Sequence, residues 1–127
     1  MSKIDPRELV LAAALYRGGA VGHTYGYVSC RDVDSMGRRV CVSYGDVDFI
    51  VAELVAEGLM RREWGGVLRL TEAGRQAARA AAKRLGRRGR DVAKYAAAEG
   101  DISKIIELLE KNRVVEKRGD YYKTGLF

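Results

Sequence analysis

The sequence predicts a mainly α-helical chain with small β-hairpins, built as two units in tandem. The first observation is an internal repeat. Residues 50–71 and 105–124 each read as an amphipathic helix, a stop at Gly58 or Asn112, and a charged two-stranded hairpin. Arg31-Asp32-Val33 and Arg90-Asp91-Val92 occupy similar places before each copy. The second observation is a long Ala- and Arg-rich helical stretch from Thr71 to about Leu85, which joins the copies. The third is composition: 127 residues, 47% of them hydrophobic, support a packed core and argue against global disorder. The first unit spans residues 1–71. The second, minimal unit spans residues 72–127 and shares the linking helix.

Each element has a local reason. In Asp5-Pro6-Arg7-Glu8 the aspartate caps, the proline fits the first helical position and Glu8 completes a capping box. This predicts a helix over 7–17, ended by Gly18-Gly19. Residues 20–28, with Gly22, Tyr25, Gly26 and Tyr27, read as a loop leading to a short extended piece at Tyr27-Val28. Residues 29–42 admit two readings. One is a hairpin turning at Asp34-Ser35-Met36-Gly37, with Cys30 opposite Cys41. The other is a short helix capped by Ser29, with Cys30, Val33 and Met36 on one face. Apolar and polar residues do not alternate cleanly, so the helix is preferred. In both readings the cysteines come close.

Ser43-Tyr44-Gly45-Asp46 is a further capping box with Ser43 as cap, and Val47, Ile50, Val51, Leu54 and Val55 recur at helical spacing up to Gly58. Residues 59–62 and 67–70 pair as strands around Trp64-Gly65-Gly66. Thr71-Glu72-Ala73 opens the linking helix, and Gly86 and Gly89 punctuate the stretch beyond its end. A helix is predicted over 91–98, with a turn at Glu99-Gly100. Asp101 then caps a helix carrying Ile102, Ile105, Ile106, Leu108 and Leu109. Val114-Val115-Glu116-Lys117 and Tyr121-Tyr122-Lys123-Thr124 pair around Arg118-Gly119-Asp120.

The net charge of +6 is unevenly placed. Residues 1–60 hold six Lys or Arg against eight Asp or Glu. Residues 61–90 hold ten against two, and residues 91–127 hold seven against seven. The surplus therefore lies in one 30-residue segment. Such a concentrated basic surface attracts polyanions, because each neutralised phosphate releases counterions. No apolar stretch is long enough to cross a bilayer and no secretory signal opens the chain, so a cytoplasmic location is expected and a membrane is not. Gln76 and Asn112 are the only side-chain amides, beside 31% charged residues, which predicts adaptation to high temperature. In a hot-living organism's cytosol a disulfide between Cys30 and Cys41 becomes a fair expectation. Two cysteines and one histidine do not close a structural zinc site without carboxylates, so neither metal nor cofactor is expected.

Residues 27–84 resemble the winged helix-turn-helix of prokaryotic transcription regulators. Val42-Ser43-Tyr44-Gly45-Asp46-Val47 resembles the turn and start of a recognition helix. Glu57-Gly58-Leu59-Met60-Arg61 resembles the helix-to-wing junction. Leu70-Thr71-Glu72-Ala73-Gly74-Arg75 is similar to the strand-to-helix junction of the multiple-antibiotic-resistance and phenolic-acid-repressor families, and is the more specific signal. The stretch 38–41 departs from the pattern by lengthening the segment before the recognition helix. The C-terminal copy resembles a second, minimal winged helix. That places the chain beside tandem winged-helix proteins, here of a hyperthermophilic archaeal kind. The resemblance implies double-stranded DNA as ligand, with RNA as the alternative. Ser43, Tyr44, Gly45 and Asp48 would enter the major groove. Arg61, Arg62 and Arg69 belong to the wing, and Arg75, Arg79, Lys83, Arg84, Arg87 and Arg88 would track phosphates. Trp64 at the hairpin tip would stack on a base or fold back on the core.

Neither presumed recognition helix is basic. The first carries Asp46, Asp48, Glu53 and Glu57 and no Lys or Arg. His23, alone in a Gly/Tyr loop, reads as a surface or packing residue rather than a base. No nucleophile–base set, paired carboxylates or phosphate-loop spacing stands out, so no catalytic residue is assigned and an enzyme is not expected. Two functional classes are compatible with these features. One is a DNA-binding transcription regulator, dimeric through the first helix or the C-terminal tail. The other is a tandem winged-helix protein-interaction or RNA- or ribosome-associated component of a larger assembly.

Overall fold

The computed structural model describes residues 4–33, 35–43, 45–103 and 105. These form a mixed α/β structure with, among the described residues, four helices, a three-stranded sheet and a two-stranded sheet. The expected mainly α character gives way because three strands lie in segments that read as loop or helix. The elements run α1 (Pro6–Tyr16), β1 (Ala20–Gly22), β2 (Val28–Val33), β3 (Arg39–Ser43), α2 (Gly45–Ala56), β4 (Met60–Glu63), β5 (Val67–Leu70), α3 (Glu72–Arg84) and α4 (Arg87–Glu99).

Helix α1 starts as its sequence dictates. Asp5 accepts a hydrogen bond from the Arg7 N–H at 2.9 Å, and Pro6 sits in the first turn. Its centre is apolar all round, and residues 9–14 are all buried. A helix without a polar face must be enclosed, and α1 packs against both α3 and α4 as well as α2. The helices around it supply small side chains: Ala78 and Ala81 on α3, and Ala93, Ala96 and Ala97 on α4. The core is completed by Val47, Val51 and Leu54 of α2, Met60, Leu68 and Leu70 of the sheet, and Ile102 and Ile105. Each fully buried Leu or Ile here contributes roughly 1.5–3 kcal/mol.

The sheet has the order β1-β5-β4, antiparallel throughout, with Ala20 opposite Arg69 and Arg61 opposite Arg69 on the other side. Strand β1 falls where a loop was expected. With only three residues it carries too short a pattern to register, but it hydrogen-bonds along β5. The period-two alternation of β4 and β5 turns Met60, Leu68 and Leu70 inward and Arg61, Glu63 and Arg69 outward.

Residues 29–42 fold as the β2–β3 hairpin, which overturns the preferred helix. Val28 pairs with Ser43, Ser29 with Val42, Asp32 with Val40 and Val33 with Arg39. A register shift between Ser29 and Asp32 inserts a bulge. A bulge breaks the alternation, which is why the pattern looked wrong for a strand. The reversal is completed at Gly37, whose φ of 78° is the left-handed region that glycine adopts at little cost. Cys30 is disulfide-bonded, and Cys41 on β3 is the only other cysteine of the chain.

Thr71 caps α3, accepting from the Gly74 N–H at 3.0 Å while its hydroxyl donates to the Gly58 carbonyl at 2.6 Å. Gly74 lies so close to β4's entrance that a Cβ there would stand 1.8 Å from the Leu59 carbonyl oxygen. Helix α4 begins four residues earlier than predicted, at Arg87, and ends at Glu99 with Gly100 as its C-cap. Beyond it the chain returns to the sheet. Gly22 and Asp101 form a parallel bridge, and the Ile102 N–H donates to the Gly22 carbonyl at 3.0 Å. Asp101 accepts from the Ser103 N–H at 2.7 Å, as a cap would. Apart from Ile105, the predicted helix past residue 103 and the hairpin over 114–124 lie outside the described residues. Among the described residues no helix is long and apolar enough to cross a membrane.

Candidate nucleic-acid interface

The outer face of the sheet holds Arg61 and Arg69 as a directly opposed cross-strand pair. Between them stands Glu63. Its Oε1 accepts from Arg69 Nε at 2.8 Å and its Oε2 lies 3.4 Å from Arg61. The hydrogen bond from Arg69, reinforced by both positive charges, holds the Glu63 carboxyl below the usual carboxylate range. Two cations of the predicted wing thus share one anion.

Arg62 belongs to the inward-facing register of β4 but lies near the turn of the hairpin, opposite Leu68, and is exposed. Its guanidinium sits over the Tyr25 ring, 4.2 Å from the centroid. Tyr25 in turn meets the His23 ring edge-on, at 4.5 Å and 66°. His23 is buried, with Nε2 2.8 Å from Asp48 Oδ1 and its backbone N–H donating to the Gly66 carbonyl at 2.8 Å. The second Asp48 oxygen accepts from the Gly26 N–H at 2.9 Å. Asp48, expected at a major-groove surface, therefore has both oxygens engaged inside the protein. Sequence reasoning missed this chain of contacts. Its members lie at positions 23, 25, 48 and 62, and no local spacing joins them.

The other predicted recognition residues are divided. Ser43 ends β3 and Gly45 begins α2, while Tyr44 lies outside the described residues. The outward face of α2 carries Phe49, Ala52, Ala56 and no cation, and Phe49 is 66% exposed. That exposure was legible: Phe49 falls off the stripe made by Val47, Ile50, Val51 and Leu54. Glu57, just past the helix, is held by Arg7 of α1, whose hydrogen bond keeps its carboxyl below the ordinary range.

The phosphate-tracking candidates run along α3 into α4. Arg75, Arg79 and Lys83 recur every four residues, so they share one helix face. Arg75 lies against Gly19, and Arg84 is tied to Glu8 of α1. Arg79, Lys83, Arg87 and Arg88 are exposed and pair with no carboxylate among the described residues. Lys83 stands in the last turn of α3, where the helix dipole welcomes it. Arg87 and Arg88 stand in the first turn of α4, where the dipole opposes them, and Gly86 provides no side-chain cap.

Trp64 is 97% exposed at the β4–β5 turn, so it does not fold back on the core. Beside that turn lies a cleft of about 220 Å³ whose lining includes His23, Tyr25, Arg62 and Gly66. A larger groove of about 520 Å³ runs past Arg17, Gly22, Thr24, Gly65 and Asp101. Among the described residues there is no group of three or more His, Cys, Asp or Glu able to hold a metal ion. No protein-family model, curated protein or solved structure matches the chain.

Proposed function

We propose that the chain is a winged-helix nucleic-acid-binding protein that grips double-stranded DNA through its phosphates and serves transcription regulation. The carrying observation is the run of exposed cations without carboxylate partners among the described residues, Arg79, Lys83, Arg87 and Arg88. Placing two arginines at the positive end of a helix adds repulsion rather than stability. A polyanion would relieve that repulsion and release counterions in the process.

The element order supports the winged-helix reading. A core helix leads to a short strand, a helix precedes a two-stranded hairpin, and the first strand pairs with the hairpin's second strand. The β2–β3 hairpin stands where the resemblance implies a further helix. The tandem arrangement rests on the sequence repeat at 105–124. Because α2 offers no cation and Asp48 is engaged with His23 and Gly26, the reading is of backbone binding with little base readout.

The test is a titration of duplex DNA at several salt concentrations, with RNA as competitor. The Arg79→Ala, Lys83→Ala double variant should weaken binding equally across sequences and lower the salt slope by about two. Absence of salt-dependent binding of the unaltered protein to either nucleic acid overturns the reading.

The exposed Phe49 favours a second reading, a protein-interaction component that associates with itself or with an assembly. Sedimentation of the protein and of Phe49→Asp checks self-association. Monomers in both cases remove it.

A further inference from the structure

We infer that the β4–β5 turn and the cleft beside it form a stacking site for unpaired nucleobases, so that nucleic acid with a single-stranded stretch binds more tightly than blunt duplex. The inference rests on the nucleic-acid reading above and adds the ligand's state.

Trp64 is the chain's only tryptophan, and it stands almost wholly in water at the tip of a hairpin. It contributes nothing to the core. The turn that carries it continues into Gly66, which lines the cleft together with His23, Tyr25, Arg62, Glu63, Val67 and Leu68; the Glu63 carboxylate there is engaged by Arg69 and Arg61. One wall is held rigidly. Tyr25 is braced edge-on by His23, and His23 is fixed by Asp48 and by the Gly66 carbonyl. Arg62 lays its guanidinium on the Tyr25 ring and adds a second flat, cationic surface. The floor at Val67 and Leu68 is apolar. Flat aromatic and guanidinium surfaces over an apolar floor suit the face of a base, and every base has such a face.

Charge selects the occupant. The hairpin brings Arg61, Arg62 and Arg69 against Glu63 alone. An apolar peptide would gain nothing from those cations, whereas each nucleobase arrives with a phosphate. Paired bases inside a duplex present only their edges in the grooves. Only unpaired bases expose the faces that Trp64 and the Tyr25–Arg62 wall can cover.

The experiment compares a labelled short duplex with the same duplex carrying an oligothymidine or oligouridine tail, by anisotropy. Emission of the protein is recorded in parallel. With one tryptophan among seven tyrosines, emission excited at the red edge of indole absorption, where tyrosine does not absorb, reports on Trp64 alone. The tailed forms should bind on the order of tenfold more tightly, the scale of one base–aromatic stack, and should quench the emission. Trp64→Ala should abolish the tail's advantage while blunt-duplex affinity changes little. Trp64→Phe should keep part of that advantage. Because the side chain is solvent-exposed, neither variant disturbs folding, which circular dichroism verifies. A preference for one tail tells DNA from RNA. Equal affinity for blunt and tailed duplex, or a tail effect that survives Trp64→Ala, overturns the stacking site and leaves the polyanion reading standing. No salt-dependent binding to any form overturns both.

Discussion

Glu63 lies between Arg61 and Arg69 and neutralises part of the surface proposed to meet phosphates. Glu63→Gln should therefore free two cations, tighten nucleic-acid binding and steepen the salt slope by up to about two. An unchanged slope in the same titration places both arginines outside the interface. The same carboxylate has a pH signature. Its folded-state value is lowered by Arg69, so its stabilising contribution is complete above the ordinary carboxylate range and is lost as pH falls through the lowered value. Glu57, lowered by Arg7, acts with the same sign. Glu57 is exposed and Glu63 half-buried at the surface, and both are screened by solvent. The expected outcome is a modest drop in the denaturation midpoint on acidification, reduced in Glu57→Gln. At this scale the placement of residues on the hairpin was legible. Arg61, Arg62 and Arg69 were assigned to the wing, and alternation puts Glu63 on the face of Arg61. The His23–Asp48 pair was not legible, because its partners are 25 residues apart and meet only through the fold.

Among the elements, α1 and α3 could be read because each has a cap, α2 because of its helical period and the stop at Gly58, and the β4–β5 hairpin because of its alternation and its turn glycines; Ser43, expected to cap α2, ends β3 instead. The β2–β3 hairpin could not, since its bulge disrupts the one signal that marks a half-buried strand. Strand β1 was hidden by its length and by Gly22. The hairpin's disulfide at Cys30 gives an element-scale prediction. A disulfide that closes a short loop stabilises by about 2–3 kcal/mol in the chain-entropy account. Reductant should lower the denaturant midpoint by that amount, and Cys30→Ser should be indifferent to reductant. Two helical glycines separate packing from propensity. Gly74→Ala drives a methyl into the Leu59 carbonyl and should cost about 1–3 kcal/mol or more. Gly89→Ala meets side-chain atoms rather than backbone, the ends of Leu85 and Ile4 at 3.0 and 3.2 Å and Leu85 Cβ at 3.3 Å, and gains helix propensity. It should stay within about 1 kcal/mol of the parent. Equal losses for the two would refute the close-approach argument.

For the molecule as a whole, charge and core are segregated. The buried cluster draws on every helix, whereas the positive surplus is confined to residues 61–90. The sequence divided the chain at residue 71. The described fold gathers α3, α4, Ile102 and Ile105 into the same core as α1. The scarcity of amides predicts a melting temperature above the roughly 45–65 °C of ordinary domains, which calorimetry checks.

Enclosure of α1 sets an order of events in synthesis. Helix α1, with no polar face along its centre, leaves the ribosome before the helices that cover it, the last of which ends only at Glu99. Until then its leucines and alanines are bare, and the contacts that bury them span most of the chain. Such non-local closure slows folding, and an exposed apolar segment on a nascent chain invites aggregation or chaperone capture. Release of the chain after Leu70 should give an insoluble product, while release after Ile105 should give a soluble one.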